Sequence, residues 1–278
     1  MSRRGAERWL LALDLDGTAC DSTGHLGEAT KRALTAARAR GHVVCFATGR
    51  RDVDMHAFWD ESKFADYLLL NNGGKLIRTS DDAVLFNRSI DPEAAKTLIS
   101  YCLDHGYQLH VIGGGYWGVN RWNDSLTGYA DQLGIAPVLY GSLEDTPWRD
   151  VEGFMATADL ESVCRYLDHA GLPMCYTPSE PDCVDIMAPG ISKWGGLERL
   201  ARMLDIPNAR VIAAGDYSND LEMIRSAGTG VAVAGALPEV RAAADYVTCR
   251  DNDHDAAAEI VERFLLHGDH KKDEEISI

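Results

Sequence analysis

The chain has 278 residues, of which 46% are hydrophobic and 25% are charged, and this composition excludes intrinsically disordered and collagen-like proteins. The length predicts about two domains, each large enough to bury its own core. The 43 acidic residues exceed the 27 lysines and arginines and give a formal charge of −16. Because such a surface repels polyanions, we exclude nucleic acids and anionic membrane surfaces as partners.

The cysteines and the first apolar segment predict the cellular compartment. The seven cysteines are dispersed, odd in number and free of C-x-x-C pairs, so a disulfide framework and a zinc site are both disfavoured. The first apolar stretch is short and interrupted by Asp14 and Asp16, and no apolar run reaches the length of about 18 residues that a membrane helix needs. We therefore expect a cytoplasmic protein with reduced thiols.

Short apolar runs, each followed by a polar cluster and then by a helical stretch, recur along the chain. The runs cover residues 9–13, 43–47, 67–70, 211–214 and 231–234. Apolar runs without alternation are typical of strands buried on both faces of a parallel sheet. Apolar periodicity predicts helices over residues 28–40 and 192–204. The expected fold class is α/β, with a doubly wound (Rossmann-like) parallel sheet as its core.

The pattern changes between residues 81 and 188, where apolar and polar residues alternate more often. Here we predict a strand over residues 107–111 and helices over 92–105, 124–133 and 160–170. We interpret residues 81–188 as an inserted α+β cap domain, between core segments 1–80 and 189–278. Residues 113–123 are rich in glycine and aromatic residues, and either a substrate-facing segment or a hairpin that packs its aromatics fits them.

Four aspartates mark the ends of two predicted strands. Asp14 and Asp16 are two residues apart, so both leave the end of the first strand on the same side, and Gly17 then turns the chain. Asp216 and Asp220 follow another strand. Clustered carboxylates at a buried strand end need a cation, and oxygen ligands without histidine or cysteine favour Mg²⁺. The carboxyl ends of parallel strands share one edge of a sheet, where ligands bind.

Other polar residues at this edge suit a phosphate group. Lys193 supplies a mobile positive charge, and Thr48 and Gly49 offer a hydroxyl and backbone amides at a helix start. A phosphate dianion beside two carboxylates is repelled by about 16 kcal/mol, at roughly 4 Å and an effective dielectric of about 20, so a divalent cation is needed besides the lysine. Asp14 can then attack phosphorus, while Asp16 protonates the leaving oxygen and later activates water.

Five motifs follow one another along the chain: Asp14-Leu15-Asp16-Gly17-Thr18, Thr48-Gly49-Arg50, Asn72-Gly73, Lys193, and Gly215-Asp216-Tyr217-Ser218-Asn219-Asp220. With them the chain resembles the haloacid dehalogenase (HAD) superfamily, specifically its Cof-type phosphatases with a type IIB cap. The resemblance covers nearly the whole chain. It implies a Rossmann-like core, an inserted cap that selects the substrate, and a phosphorylated aspartate as the intermediate.

The resemblance also implies a role for each motif residue. Asp14 would be the nucleophile and Asp16 the general acid and base. Mg²⁺ would be held by the Asp14 carboxylate, the Asp16 carbonyl and Asp216, with support from Asp220. The phosphoryl oxygens would be held by Leu15 (backbone), Thr48, Gly49, Lys193 and Asn219.

Two residues depart from the family pattern. Trp194 replaces the usual small residue after the motif lysine, which implies a reshaped phosphate pocket, and Gly74 replaces the usual alanine. Neither change removes a reacting group. Arg50 fits a surface position and a site position equally well.

The predicted function is Mg²⁺-dependent hydrolysis of a small phosphorylated metabolite. Sugar phosphates are the first substrate class, and phosphorylated cofactors such as pyridoxal phosphate or flavin mononucleotide are alternatives. A phosphomutase, which returns the phosphoryl group to the sugar, and a catalytically idle sensor of phosphometabolites are the rival functions. A dehalogenase is disfavoured, because that reaction needs neither Asp16 as an acid nor Mg²⁺.

Overall fold

The computed structural model describes residues 7–268, so residues 1–6 and 269–278, at the outer ends of the predicted core segments, lie outside the described part. The strands are β1 Leu10–Leu13, β2 Val43–Ala47, β3 Tyr67–Leu70, β4 Lys75–Arg78, β5 Ala83–Asn87, β6 His110–Gly113, β7 Tyr116–Val119, β8 Val138–Leu139, β9 Gly153–Ala156, β10 Cys175–Glu180, β11 Cys183–Met187, β12 Val211–Gly215, β13 Thr229–Ala232 and β14 Tyr246–Val247. The helices are α1 Glu28–Ala39, α2 Pro92–His105, α3 Asp124–Leu133, α4 Leu160–Ala170, α5 Lys193–Met203, α6 Leu221–Ser226, α7 Pro238–Ala243 and α8 Ala256–Val261.

The contacts within the chain divide it into two compact units. Of the described residues, the first unit comprises 7–47, 61–68 and 197–268, and the second unit comprises 48–60 and 69–196. The second unit therefore includes all of residues 81–188 together with flanking segments. The assignment of 81–188 as an inserted cap domain stays a prediction.

The first unit contains a parallel sheet in the order β14-β13-β12-β1-β2. Strands β1 and β12 are buried at every position, which agrees with a parallel sheet covered on both faces. Leu13 pairs with Ala214, and the Asp14 amide donates a hydrogen bond to the Ala214 carbonyl (3.0 Å). The acids that follow β1 and β12 therefore start side by side, and the predicted parallel α/β core is confirmed.

Helix α1 is capped by a side chain from a distant part of the chain. Its N-cap residue, Gly27, has no side chain, and Asp255 Oδ1 instead accepts hydrogen bonds from the Thr30 amide (3.0 Å) and hydroxyl (2.9 Å). A Cβ atom at position 27 would lie 2.2 Å from this oxygen, so glycine makes room for the cap. Because α8 starts at Ala256, the cap fastens the start of α1 to the start of α8, and the two helices are in contact.

The second unit contains a six-stranded sheet in the order β10-β11-β9-β6-β7-β8, which is antiparallel except for the pair β7 and β8. Alternate residues serve its two faces. Val111 and Phe154 pack against helices α2 and α4, whereas Ile112 and Met155 pack against α3. This combination of antiparallel strands and helices is the α+β architecture that the sequence predicts.

Residues 113–119 form part of a hairpin, one of the two alternatives left open for residues 113–123. Strands β6 and β7 pair through a turn at Gly114 and Gly115, whose positive φ angles of 57° and 79° suit glycine. Trp117 packs into the apolar cluster on the α3 face and is 5% exposed. One aromatic residue of this segment is thus a core residue of the second unit.

The thiols and the helices are relevant to the predicted compartment. All seven cysteines are free thiols. Within residues 7–268, none of the helices combines the length and the apolar character that crossing a bilayer requires.

His110 is a buried, neutral histidine on the α3 face of β6. Trp117 Nε1 donates to its Nδ1 (3.0 Å), so the ring proton lies on Nε2, 3.5 Å from the Thr157 hydroxyl. Burial, and next the positive charge of Arg51, lower the pKa of His110 to about 3. Since an unfolded histidine titrates near 6.5, the unfolded chain binds a proton at this residue that the folded chain does not bind.

We expect His110 to make the protein less stable as the pH is lowered. Between pH about 6.5 and about 3, His110 takes up one proton when the chain unfolds. The free energy of unfolding therefore decreases by up to about 1.4 kcal/mol for each pH unit by which the pH is lowered. His110→Asn keeps an acceptor for Trp117 and does not titrate. The free energies of unfolding of wild type and variant, measured with urea from pH 8 to pH 5, should therefore converge as the pH falls. A constant difference would show that His110 has the same pKa in the folded and the unfolded chain.

Candidate active site

The loop after β1 brings the first two predicted site residues to the edge of the parallel sheet. Asp14 is buried, whereas Asp16 is exposed. Gly17 turns the chain with φ +73°, and a Cβ atom there would lie 2.4 Å from Asp216 Oδ2. The Thr18 hydroxyl donates to Asp216 Oδ1 (3.0 Å), which orients that carboxylate. The glycine thus permits a close approach between the loops that follow β1 and β12.

Three of the four predicted acids form one group. Carboxylate oxygens of Asp14, Asp216 and Asp220 lie within 4.8 Å of one another, and Asp14 and Asp220 are buried. Asp220 Oδ2 also accepts hydrogen bonds from the backbone amides of Asp216 (3.0 Å) and Tyr217 (3.1 Å). Each pair of charges repels by about 3 kcal/mol, at roughly 5 Å and an effective dielectric of about 20, so the group fits a bound cation. An all-carboxylate donor set suits a hard divalent ion.

The Asp16 carboxylate does not belong to this group. The roles expected of Asp16, a metal ligand through its backbone carbonyl and a general acid and base through its carboxylate, stay predictions. Asn219, expected at the phosphate, is partly exposed on the same loop as Asp216.

The phosphate-binding candidates in the second unit meet around one turn, residues 71–73. The Thr48 amide donates to the Leu69 carbonyl (2.9 Å), and the Asn72 amide donates to the Thr48 carbonyl (3.0 Å). The Thr48 hydroxyl accepts from the Arg50 amide (3.0 Å). These bonds hold the segment 48–50 against the turn. For Arg50 the sequence left a surface position and a site position open. Its side chain is partly buried, with its guanidinium 5.2 Å from the centre of the Phe58 ring.

The same turn also meets the start of α5. Gly73 has φ +101°, and a Cβ atom there would lie 2.1 Å from the Ser192 carbonyl oxygen, so only glycine fits. Ser192 Oγ accepts from the Gly195 amide (3.1 Å) and caps α5. Lys193, the first residue of α5, is 2% exposed. Trp194 is half-buried, and its predicted effect on the phosphate pocket stays a prediction.

The second unit contains a charged cluster that is not evident from the sequence motifs, and we name it the Arg51 cluster. Its members are all buried or nearly so: Arg51, Asp54, Asn72, Tyr129 and Asp185. Only Asn72 belongs to a motif that the sequence analysis identified. A signal for Asp185 was available, because it is the one charged residue in the otherwise apolar strand β11.

Comparisons with known proteins agree with this architecture. The family model for haloacid dehalogenase-like hydrolases matches residues 11–261, so the chain belongs to that family. The HMP-PP phosphatase of Cronobacter sakazakii is 28% identical over 239 residues, which cover 83% of this chain and 86% of that protein. The 5-amino-6-(5-phospho-D-ribitylamino)uracil phosphatase YitU of Bacillus subtilis is 26% identical over 270 residues, 93% of this chain and 98% of that protein.

A solved structure extends the comparison to the whole fold. The HAD subclass IIB sugar phosphatase BT4131 superposes with a TM-score of 0.81 at 25% identity, and the match covers 93% of this chain and 99% of that one. The predicted membership of the HAD superfamily, in its Cof-type IIB branch of phosphatases, is therefore confirmed.

Proposed function

We propose that this protein is a Mg²⁺-dependent phosphatase that hydrolyses a small phosphorylated metabolite through an aspartyl-phosphate intermediate. The observation that carries the proposal is the group formed by Asp14, Asp216 and Asp220, because it combines a nucleophile with a carboxylate set that suits a hard cation. Sugar phosphates are the proposed substrate class, with phosphorylated heterocycles second. Both classes occur among the relatives, in a sugar phosphatase and in a 5-amino-6-(5-phospho-D-ribitylamino)uracil phosphatase.

Each candidate residue has one role in this reaction. An Asp14 oxygen attacks phosphorus while the bond to the leaving oxygen breaks, and Asp16 gives that oxygen its proton. Asp16 then takes a proton from a water molecule, which attacks the phosphorylated Asp14 and releases inorganic phosphate. The bound metal supplies positive charge that offsets the repulsion between carboxylates and phosphate. Asp14, the Asp16 carbonyl and Asp216 are proposed to hold it, with support from Asp220, whose carboxylate also fixes the loop.

Residues outside this group are proposed to bind the substrate. The phosphoryl oxygens would be held by the Leu15 backbone, Thr48, Gly49, Lys193 and Asn219. Residues 81–188 are proposed as the domain that selects the leaving group, and core segments 1–80 and 189–278 as the part that carries the nucleophile. The free thiols support a cytoplasmic location.

Phosphate release from a metabolite panel tests the proposal. The panel contains sugar phosphates, pyrimidine phosphates, pyridoxal phosphate and flavin mononucleotide, each with Mg²⁺ and with EDTA. We expect at least one substrate whose kcat/KM falls by about 100-fold or more in EDTA and recovers with Mg²⁺. Interconversion of sugar phosphates with little free phosphate would instead identify a mutase, and no turnover across the panel would favour a catalytically idle sensor.

A further inference from the structure

The Arg51 cluster holds two carboxylates around one buried guanidinium. Arg51 Nε donates to Asp54 Oδ2 (2.6 Å), its Nη1 to Asp185 Oδ1 (3.5 Å) and its Nη2 to the Tyr129 hydroxyl (3.4 Å). The Tyr129 hydroxyl donates to Asp54 Oδ1 (2.8 Å). Arg51 and Asp185 are each 6% exposed. The proposed reaction uses neither residue, so the cost of burying them calls for another explanation.

Asp185 lies on an otherwise apolar face of its strand. In β11 its neighbours Val184 and Ile186 pack on the opposite face with α2 and α4. Across the sheet Asp185 pairs with Met155, a member of the apolar cluster on the α3 face. Burial raises the pKa of the Asp185 carboxyl, and Arg51 and Asn72 act in the opposite direction. A hydrophobic residue would suit this face better if packing were its only role.

The Asp185 carboxylate lies against the predicted phosphate-binding segment. A Cβ atom on Gly49 would be 3.1 Å from Asp185 Oδ2 and 3.3 Å from Asn72 Nδ2. Asn72 Nδ2 donates to Asp185 Oδ2 (2.9 Å), while the Asn72 backbone amide donates to the Thr48 carbonyl. Asn72 therefore connects the Asp185 carboxylate to the backbone of Thr48.

We propose that Asp185 is a positioning residue, which fixes the Asn72 amide and through it the phosphate-binding segment Thr48–Gly49. Arg51, two residues after Gly49, is held by the same carboxylate, so the segment is fixed at both ends. The inference rests on the proposed function, because it takes Thr48 and Gly49 to contact the phosphoryl group. It adds a residue of β11 to those that determine phosphate affinity.

Asp185→Asn is the sharpest single change. The carboxylate accepts from Asn72 on one oxygen and from Arg51 on the other, with the Ser179 side chain as a further donor, whereas an asparagine offers only one acceptor oxygen. The new amide NH2 group then faces an N–H donor of either Asn72 or Arg51, unless the side-chain amide of Asn72 rotates by 180° and presents its oxygen. In either case Asn72 or Arg51 moves, and the segment between them moves as well.

The readout is competitive inhibition by inorganic phosphate, which has no leaving group. In Asp185→Asn we expect the inhibition constant of phosphate and the KM of p-nitrophenyl phosphate to rise together, by about tenfold or more, because a charge-assisted contact is lost. Glu152→Gln is the matched control. Glu152 is also 6% exposed and pairs with a buried cation, Lys75, at 3.1 Å. This control should lower the thermal midpoint while its inhibition constant for phosphate stays within about twofold of wild type.

A second variant covers the case in which Asp185→Asn fails to fold. Asn72→Gly removes the amide, and glycine suits the φ angle of 50° at this position. It should raise the inhibition constant of phosphate in the same way. An unchanged constant in a folded Asp185→Asn, or in Asn72→Gly if the first variant is unfolded, overturns the inference. If only the KM of large substrates changes and the inhibition constant of phosphate does not, Asp185 acts on the leaving group, and the inference is likewise overturned.

The same data separate this inference from the proposed function. If the wild-type protein hydrolyses a phosphomonoester and both variants keep its phosphate affinity, only the role of Asp185 is wrong. If the wild-type protein neither hydrolyses the panel nor binds inorganic phosphate in calorimetry, the proposed function and this inference fail together.

Discussion

Replacing Asp14 with asparagine is expected to lower the turnover of p-nitrophenyl phosphate by at least about 10³-fold, the scale seen when a covalent nucleophile is removed. An amide does not form the bond to phosphorus, and it also removes one negative charge from the group shared with Asp216 and Asp220. The fold should persist, because the backbone amide of residue 14 still donates to the Ala214 carbonyl. Phosphate release and circular dichroism measure the two expectations.

Acid-quench labelling tests the covalent step directly. Wild-type protein incubated with a radiolabelled phosphomonoester should yield acid-stable, base-labile labelled protein, and Asp14→Asn should yield none. Asp21→Asn makes the same chemical change on an exposed loop, where Asp21 Oδ1 accepts from Thr23 and His25 and an asparagine oxygen does the same. This control should keep both labelling and turnover. Turnover in Asp14→Asn comparable to that of wild type would remove the covalent mechanism.

Local signals were strong enough to predict several elements to the residue. Helix α2 occupies residues 92–105 as expected, because Asp91 caps it through the Ala94 amide (3.0 Å), proline follows the cap, and Gly106 ends it at φ 68°. The predicted strand over 107–111 is shifted, since β6 covers His110–Gly113. The Tyr107 amide bonds back to the Cys102 carbonyl of α2, and the side chain of Asn120 binds the backbone of Tyr107 and Leu109. These groups are thus withdrawn from strand pairing.

The site was predictable to the extent that its residues follow strands in recognisable motifs. Asp14 and Asp216 are 202 positions apart in the numbering, and their proximity depends on the pairing of β1 with β12. Spacing alone places each acid at a strand end, and only the ordered motifs indicated that the two strands are neighbours.

The Arg51 cluster shows where such reasoning ends. A lone aspartate in an apolar strand signals a buried partner, but the sequence does not identify which of many cations it is. The contact of Asp185 with Arg51 spans 134 positions and depends on which face of β11 meets the segment after Gly49. Strand register and side-chain direction are tertiary properties, and one residue of slip would place Asp185 on the α2 and α4 face.

Gly17→Ala is expected to weaken metal binding and lower turnover by about 100-fold or more, because displaced site residues commonly cost this much. The new methyl group would lie 2.4 Å from Asp216 Oδ2 and 2.8 Å from its Cγ, so the carboxylate has to move. This movement also breaks or distorts the hydrogen bond that the Thr18 hydroxyl donates to Asp216 Oδ1 (3.0 Å). The Mg²⁺ concentration that gives half-maximal activity should rise together with the loss of turnover.

Gly41→Ala separates this steric effect from backbone strain. Gly41 also has a positive φ, +88°, and a Cβ atom there would meet nothing within 4 Å. Both variants pay roughly 1–2 kcal/mol of stability for a left-handed alanine, but only Gly17→Ala disturbs a carboxylate. Urea unfolding should therefore show a loss of stability in Gly41→Ala and a loss at least as large in Gly17→Ala, while Gly41→Ala keeps the wild-type dependence on Mg²⁺. If the two variants require the same Mg²⁺ concentration as wild type, Asp216 does not hold the metal, because its displacement has no effect on metal affinity.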